Sequence, residues 1–178
     1  VLVYQNLDNS QSPANVLNWY SAGLRRVLFQ IRRTWEPVME QTGTYLVTGG
    51  AGFIGSHLFN FLGLKRSEVT RIPFQDDFFS DNDALDSFVG KCDVIVHLAA
   101  LNRHNDPQAI YETNISLVNR LIDSLERTAS RPHLLFSSST QEERDNIFGK
   151  SKREGRKLLA DWAGRNGADF TGMVIPNV

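Results

Sequence analysis

The residues that could do chemistry begin at position 48. Thr48-Gly49-Gly50-Ala51-Gly52-Phe53-Ile54-Gly55 follows the apolar run Tyr45-Leu46-Val47 and leads into Ser56-His57-Leu58-Phe59-Asn60-Phe61-Leu62. That order reads as strand, glycine turn, helix. Glycines at 49, 52 and 55 reach positive φ without penalty and leave room for close backbone approach. Such a turn aims the free N–H groups of a helix start at an anion, and the helix dipole favours negative charge at the same point. The predicted chemistry is diphosphate binding by Gly49, Gly52, Phe53, Ile54 and Gly55. The spacing is GxxGxxG rather than the commoner GxGxxG, and a tight turn without a ligand is the alternative. The strand–turn–helix setting favours binding.

The elements that must hold this turn alternate. Residues 44–48 read as the first strand and 53–63 as its helix. Val69 to Phe74 reads as a second strand, weakened by Pro73, and Asp83 to Val89 as a short helix. Asp93 to Leu98 is a continuous apolar run, the pattern of a parallel strand covered on both faces. Ile110 to Arg127 carries apolar residues at helical spacing. Leu134 to Phe136 reads as a strand, Ile147 to Ala163 as a helix and Asp169 to Ile175 as the last strand. Alternation of this kind predicts a doubly wound parallel sheet of about five strands with right-handed crossovers.

Residues 1–43 stand outside that pattern as an N-terminal extension. Val16, Tyr20, Leu24, Val27, Leu28, Ile31, Trp35 and Val38 fall at helical spacing, with Arg25, Arg26, Arg32 and Arg33 beside them. This predicts a basic amphipathic helix over about 14–40. Packing against protein is the preferred reading and peripheral contact with an anionic membrane surface the alternative.

Bulk composition narrows the class. The chain has 178 residues, 41% of them hydrophobic and 22% charged, as expected of a soluble globular domain. A net charge of −1 provides no field for nucleic acid. A single cysteine, Cys92, excludes an internal disulfide framework, fits a reducing cytoplasmic setting and reads as a core thiol. His57, His97, His104 and His133 lack metal-ligand spacing, so no metal is expected. Asn114-Ile115-Ser116 reads as a chance sequon on a helix. No run reaches membrane-spanning length. The chain opens on Val1 and stops at Val178 just past an apparent strand, so both ends read as cut.

Four motifs come in order: Thr48–Gly55, then Asp93-Val94-Ile95-Val96-His97-Leu98-Ala99-Ala100, then Ser137-Ser138-Ser139, then Gly149-Lys150-Ser151-Lys152. Together they resemble the extended short-chain dehydrogenase/reductases, the NAD(P)-dependent epimerases and dehydratases of nucleotide sugars. The resemblance covers about residues 44–178. The short interval before Asp93, Leu101-Asn102-Arg103 after it, and Gln141 after the serines look most like the branch that reduces keto nucleotide sugars in capsular polysaccharide synthesis. The resemblance implies a Rossmann-type sheet cut before the substrate lobe, NAD or NADP as cofactor, a nucleotide-sugar substrate and a homodimer.

It also implies site residues. In this family a Tyr-x-x-x-Lys pair works with a Ser or Thr. The tyrosine hydroxyl moves a proton to or from the sugar oxygen, while the lysine lowers the tyrosine's pKa and holds the nicotinamide ribose. Here Lys152 matches the lysine and Ser139 the serine, with Thr140 as rival. The tyrosine position is Phe148, which has no hydroxyl to donate. Loss of such a group typically lowers a rate by roughly 10²–10⁴. The readings left open are impaired chemistry, another donor such as Thr140, Tyr111 or water, and a non-catalytic dinucleotide-binding or scaffold module. Leu98, Ala99, Ala100 and Ser137 fall along the cofactor path, and Pro176 and Asn177 match the turn by the nicotinamide. Asn114 matches an asparagine that orders water or the lysine, with a solvated helix residue as the alternative. An acidic residue after the second strand binds a ribose 2′-OH, whereas an Arg accommodates a 2′-phosphate. Asp76, with Asp77 beside it, stands there and favours NAD, with two aspartates that simply cap a loop as the alternative, while Arg71 reads as part of the strand.

Overall fold

A computed structural model describes residues 43–176. The expected helix over 14–40 and the matched Asn177 lie outside the described residues. The strands are β1 (Gly43–Thr48), β2 (Val69–Ile72), β3 (Val94–His97), β4 (His133–Ser139) and β5 (Phe170–Ile175). The helices are α1 (Phe53–Lys65), α2 (Asn82–Val89), α3 (Pro107–Arg127) and α4 (Ile147–Asn166). All strand pairs are parallel, in the order β2-β1-β3-β4-β5. This is the doubly wound sheet that the alternation predicts. Right-handed crossovers carry the chain from β1 one way to β2 and the other way through β3, β4 and β5. They place α1 on one face and α2, α3 and α4 on the other, where α2 packs on α3 and α3 on α4.

Local chemistry sets the boundaries. Asp81 caps α2 by accepting from the Asp83 and Ala84 N–H groups at 3.0 and 3.1 Å. Asp106 caps α3 by accepting from Gln108 N–H at 2.9 Å, with Pro107 in the first turn. Asn146 caps α4 by accepting from Gly149 N–H at 2.7 Å, and Gly167 ends it at φ 65°. Among the described helices, α1 alone has no side-chain cap. β2 stops at Ile72 rather than Phe74, because Pro73 has no N–H for the ladder. β4 continues through all three serines, past the expected end at Phe136, with Ser139 paired to Ile175. The segment read as a loop at Asp76 is a short 3-10 turn, Asp76–Ser80, and a second such turn, Thr140–Glu143, links β4 to α4.

The main core lies between the sheet and the three-helix face. Leu46, Ile95, Leu134 and Phe136 of the strands meet Leu121 and Leu125 of α3 and Leu159 and Trp162 of α4. Gly155 lets α4 approach: a Cβ there would stand 3.2 Å from both the Phe136 ring and Val118. Trp162 is fully buried. Trp162→Ala is expected to lower the free energy of unfolding by about 3–5 kcal/mol. Urea denaturation followed by circular dichroism checks this.

Candidate active site

The C-terminal ends of β1, β3 and β4 converge at the glycine turn. Gly49 has φ 69°, and a Cβ there would lie 2.8 Å from Ala99 N. A Cβ on Gly55 would lie 2.2 Å from Gly49 O, so the turn closes on the start of α1 only if residue 55 has no side chain. The first intrahelical bond of α1 runs from Ser56 N–H to Gly52 O at 2.9 Å. Among the described residues, that leaves Phe53, Ile54 and Gly55 as the orphan donors of a helix start without a side-chain cap.

Thr48 ties this turn to β3. Its Oγ1 accepts from Leu98 N–H and Ala99 N–H, each at 3.2 Å. Both lone pairs are then used, so the hydroxyl hydrogen is donated to His97 Nδ1 at 3.0 Å. This fixes the neutral tautomer with hydrogen on Nε2. Burial, and secondarily the charge of Lys152, pushes the His97 pKa down to about 3, in keeping with a neutral ring. The ring stacks on Phe136 at 5.9 Å and meets the edge of Phe79 at 5.9 Å.

Lys152 stands beside this group. It is 5% exposed, and its Nζ donates to Ser137 Oγ at 3.4 Å, while Ser137 donates to His97 O at 3.2 Å. Its ammonium sits 5.1 Å from the Phe136 ring centre and 5.7 Å from that of Phe148, one turn earlier on α4. Burial pushes its pKa down to about 8, with Glu142 opposing. Glu142 is itself gripped by Arg156, whose Nε and terminal nitrogen lie 2.8–3.1 Å from the carboxylate. That pair pins the Thr140–Glu143 turn to α4. Gly149 permits the contact, since a Cβ there would lie 1.9 Å from Gln141 O.

The structure therefore brings together Ser137, Phe148 and Lys152 of the matched residues, with Leu98 and Ala99 bonded to the glycine turn. Ser139 is turned differently: its hydroxyl accepts from Gln141 N–H at 3.1 Å and caps the turn that Thr140 opens. Ser138 is buried, and its hydroxyl has no hydrogen-bond partner among the described residues. Asn114 is buried rather than solvated, bonded to Leu101 and Ser151. Tyr111 lies under Lys150, whose Nζ is 5.4 Å from the ring centre, and it lines an open groove along α3 with Gln108 and Glu112. That groove, of about 620 Å³, contains none of the residues at the glycine turn or around Lys152. Asp76 opens its 3-10 turn, though its side chain lies outside the described structure, and Asp77 is exposed. Arg71 does lie in β2, and its guanidinium is committed to α1: it donates to Phe59 O at 2.9 Å, covers the Phe59 ring at 4.6 Å and fills the space left by Gly63. Cys92 is half-buried and donates to Phe88 O, and burial pushes its thiol up to about 12.

Sequence reasoning missed the Thr48–His97 pair, the Arg71–Gly63 fit and the Glu142–Arg156 pair. The first had a signal, since Thr48 opens one recognisable motif and His97 lies inside the next. Pairings between strands 49 residues apart leave no local periodicity to read.

The profile described as the NAD dependent epimerase/dehydratase family matches residues 45–178. The chain belongs to that family. A UDP-2-acetamido-2,6-beta-L-arabino-hexul-4-ose reductase of Pseudomonas aeruginosa is 32% identical over 133 residues, which are 75% of this chain and 35% of that protein. The capsular polysaccharide assembling protein CapF from Staphylococcus aureus shares 30% identity and superposes with a TM-score of 0.59, over 75% of this chain and 34% of that one. RMD from Pseudomonas aeruginosa, solved with NADPH, superposes with a TM-score of 0.68 at 21% identity over 76% of this chain and 53% of that one, a likeness of fold. The chain thus spans about a third of the curated reductase it matches. Among the described residues of this epimerase-family domain, no helix is long and apolar enough to cross a membrane, and no cluster of side chains could hold a metal ion.

Two outcomes follow for stability. The lysine pKa of about 8 lies below its ordinary 10.5, so the unfolded chain holds more protons between those values. Stability gains from this group as pH rises through that window, and the full penalty remains below about 8. Lys152→Met is expected to stabilise the domain at pH 7 by about 1–3 kcal/mol, with the gain shrinking as pH rises towards 10.5. His97 also has a depressed pKa, so the stability from its neutral ring is lost as pH falls from 6.5 towards about 3. Urea titrations of both proteins from acid to alkaline pH check the signs.

Proposed function

We propose that this domain binds a nicotinamide dinucleotide, in a protein acting on a nucleotide sugar during surface polysaccharide synthesis, with its proton transfer impaired at Phe148. The observation that carries this reading is the meeting, at one sheet end, of a helix start without a side-chain cap and a buried lysine without an acidic hydrogen-bond partner, among the described residues. A diphosphate would take the orphan N–H groups of Phe53, Ile54 and Gly55 beyond Gly49 and Gly52. Leu98, Ala99 and Ala100 would wall the cofactor path. Lys152, with Ser137, would hold the nicotinamide ribose, and Pro176 and Asn177 would flank the nicotinamide. Bound there, the dinucleotide supplies hydride transfer. The chain's own task is then to move a proton at the sugar oxygen. Ser139, with Thr140 as rival, would hydrogen-bond that oxygen. Phe148 offers no hydrogen to it.

The substrate class is supported by the Pseudomonas reductase, whose name specifies a UDP-linked hexul-4-ose, and the pathway by CapF, named for capsular polysaccharide assembly. A cytoplasmic setting fits the single cysteine. Phe148 favours a second reading, a non-catalytic dinucleotide-binding module.

We also infer a preference for NAD. Asp76 would meet the adenine ribose, and Arg71, the cation of β2, is spent on α1. Fluorescence titrations are expected to give NADH binding about tenfold tighter than NADPH, or about 1.4 kcal/mol. NADPH binding tenfold tighter than NADH would overturn the Asp76 assignment. In the full-length protein, Phe148→Tyr is expected to raise turnover of a keto nucleotide sugar by roughly 10²–10⁴. An unchanged rate with cofactor still bound would favour the binding module.

A further inference from the structure

Nine residues, 73–81, carry the chain from β2 to α2. A Cβ on Gly50 would lie 3.8 Å from Phe74 O, so this connection starts beside the glycine turn. Five residues on, the Phe79 ring is buried, edge-on to Phe74 at 5.1 Å and to His97 at 5.9 Å. His97 accepts from Thr48, so the connection leans on the glycine turn at both points. Between them lies the 3-10 turn Asp76–Ser80. Its bonds are short-range: Phe78 N–H donates to Gln75 O at 3.0 Å, and Asp81 N–H to Phe78 O at 3.1 Å. Such bonds shape a turn without fixing its place against the sheet. A side chain from another element does that. Arg120 stands on α3, 41 residues along the chain from Phe79, and its Nη1 donates to Phe79 O at 2.7 Å. The bond is part-buried, and the charge on the donor strengthens it. Its partner is a main-chain carbonyl, so it restrains the backbone of the turn directly.

We propose that Arg120 is a positioning residue which, through the Phe79 carbonyl, sets the turn opened by Asp76 at the rim of the cofactor crevice, and thereby sets the preference between NAD and NADP. A carboxylate favours a ribose 2′-OH over a 2′-phosphate only where its backbone is held at one distance from the ribose. Arg120 pre-organises that backbone, so the ligand does not have to order it on binding. NADH gains from the ordered turn, whereas NADPH has no favourable contact there to lose. The proposal rests on the dinucleotide reading and the Asp76 assignment given above.

The test compares two variants with the unaltered full chain. Arg120→Met keeps the apolar stem and removes the donor, while Arg120→Lys keeps a cation. NADH and NADPH affinities are measured by fluorescence, and amide hydrogen exchange at Asp81 by NMR without ligand. Arg120→Met is expected to weaken NADH binding about tenfold and to leave NADPH binding within about twofold, so that the preference falls to near unity. Exchange at Asp81 should quicken by about tenfold. Arg120→Lys should recover most of both. Equal losses for NADH and NADPH, or an unchanged preference with an earlier melt, would make Arg120 a general stabiliser and overturn the proposal. If the unaltered chain binds neither dinucleotide, the dinucleotide reading falls; if it binds NADPH as tightly as NADH or more so, the Asp76 assignment falls. In either case exchange at Asp81 still decides whether Arg120 places the turn: a faster rate in Arg120→Met upholds it and an unchanged rate overturns it. Should Arg120→Met not fold, Arg120→Gln decides the matter by the same measurements.

Discussion

Everything at this sheet end depends on how closely the chain leaving β1 passes the chain leaving β3. Gly49 turns so near Ala99 that a single carbon atom would not fit between them. Thr48, one residue earlier, satisfies the two amide groups exposed by that approach and hands its own hydrogen to His97. The imidazole is thereby held neutral and flat against Phe136. Phe136 and Ser137 then define where the Lys152 ammonium can sit. The glycine turn and the lysine are thus positioned by one continuous set of contacts rather than as two separate features. A change in side-chain volume at Gly49 would be felt at Lys152 without touching it.

That arrangement sets stability against chemistry. A lysine with little exposure and a hydroxyl for a partner is a poor contributor to folding, because its charge is taken from water with small return. The surrounding fold tolerates it through well-packed aromatic neighbours and a capped, pinned α4. In a site with tyrosine at position 148, a phenol would share the space with that ammonium. With Phe148 there, the cation has a ring near it and no additional oxygen. The domain thus holds a buried lysine between two aromatic rings, with no hydroxyl at position 148.

The architecture was legible because its signals are local. Apolar runs marked β1 and β3, helical spacing marked α3 and α4, and the glycine turn announced itself. Boundaries failed where the deciding contact was distant or subtle. β4 runs on through Ser139 because β5 pairs with it, a fact that three serines in a row do not disclose. For the candidate site, the resemblance implied Lys152 and Phe148, and the structure sets them one turn apart on α4 with the ammonium 5.7 Å from the ring centre. Ser139 could be matched by order but not by orientation, because its hydroxyl is claimed by the turn that follows. Asn114 sits where the resemblance implied, yet its partners come from residues 101 and 151, which no periodicity links to it.

The fit between Arg71 and Gly63 has a consequence for how this domain could diverge. The guanidinium occupies the volume that any side chain at position 63 would need, within 2.3 Å of where its first carbon would be. The two positions are therefore one unit of inheritance. A larger residue at 63 evicts the arginine from α1 and sets a positive charge loose near the end of β2. The charge at that sheet edge would then be reset from the back of a helix, by a substitution on a different element.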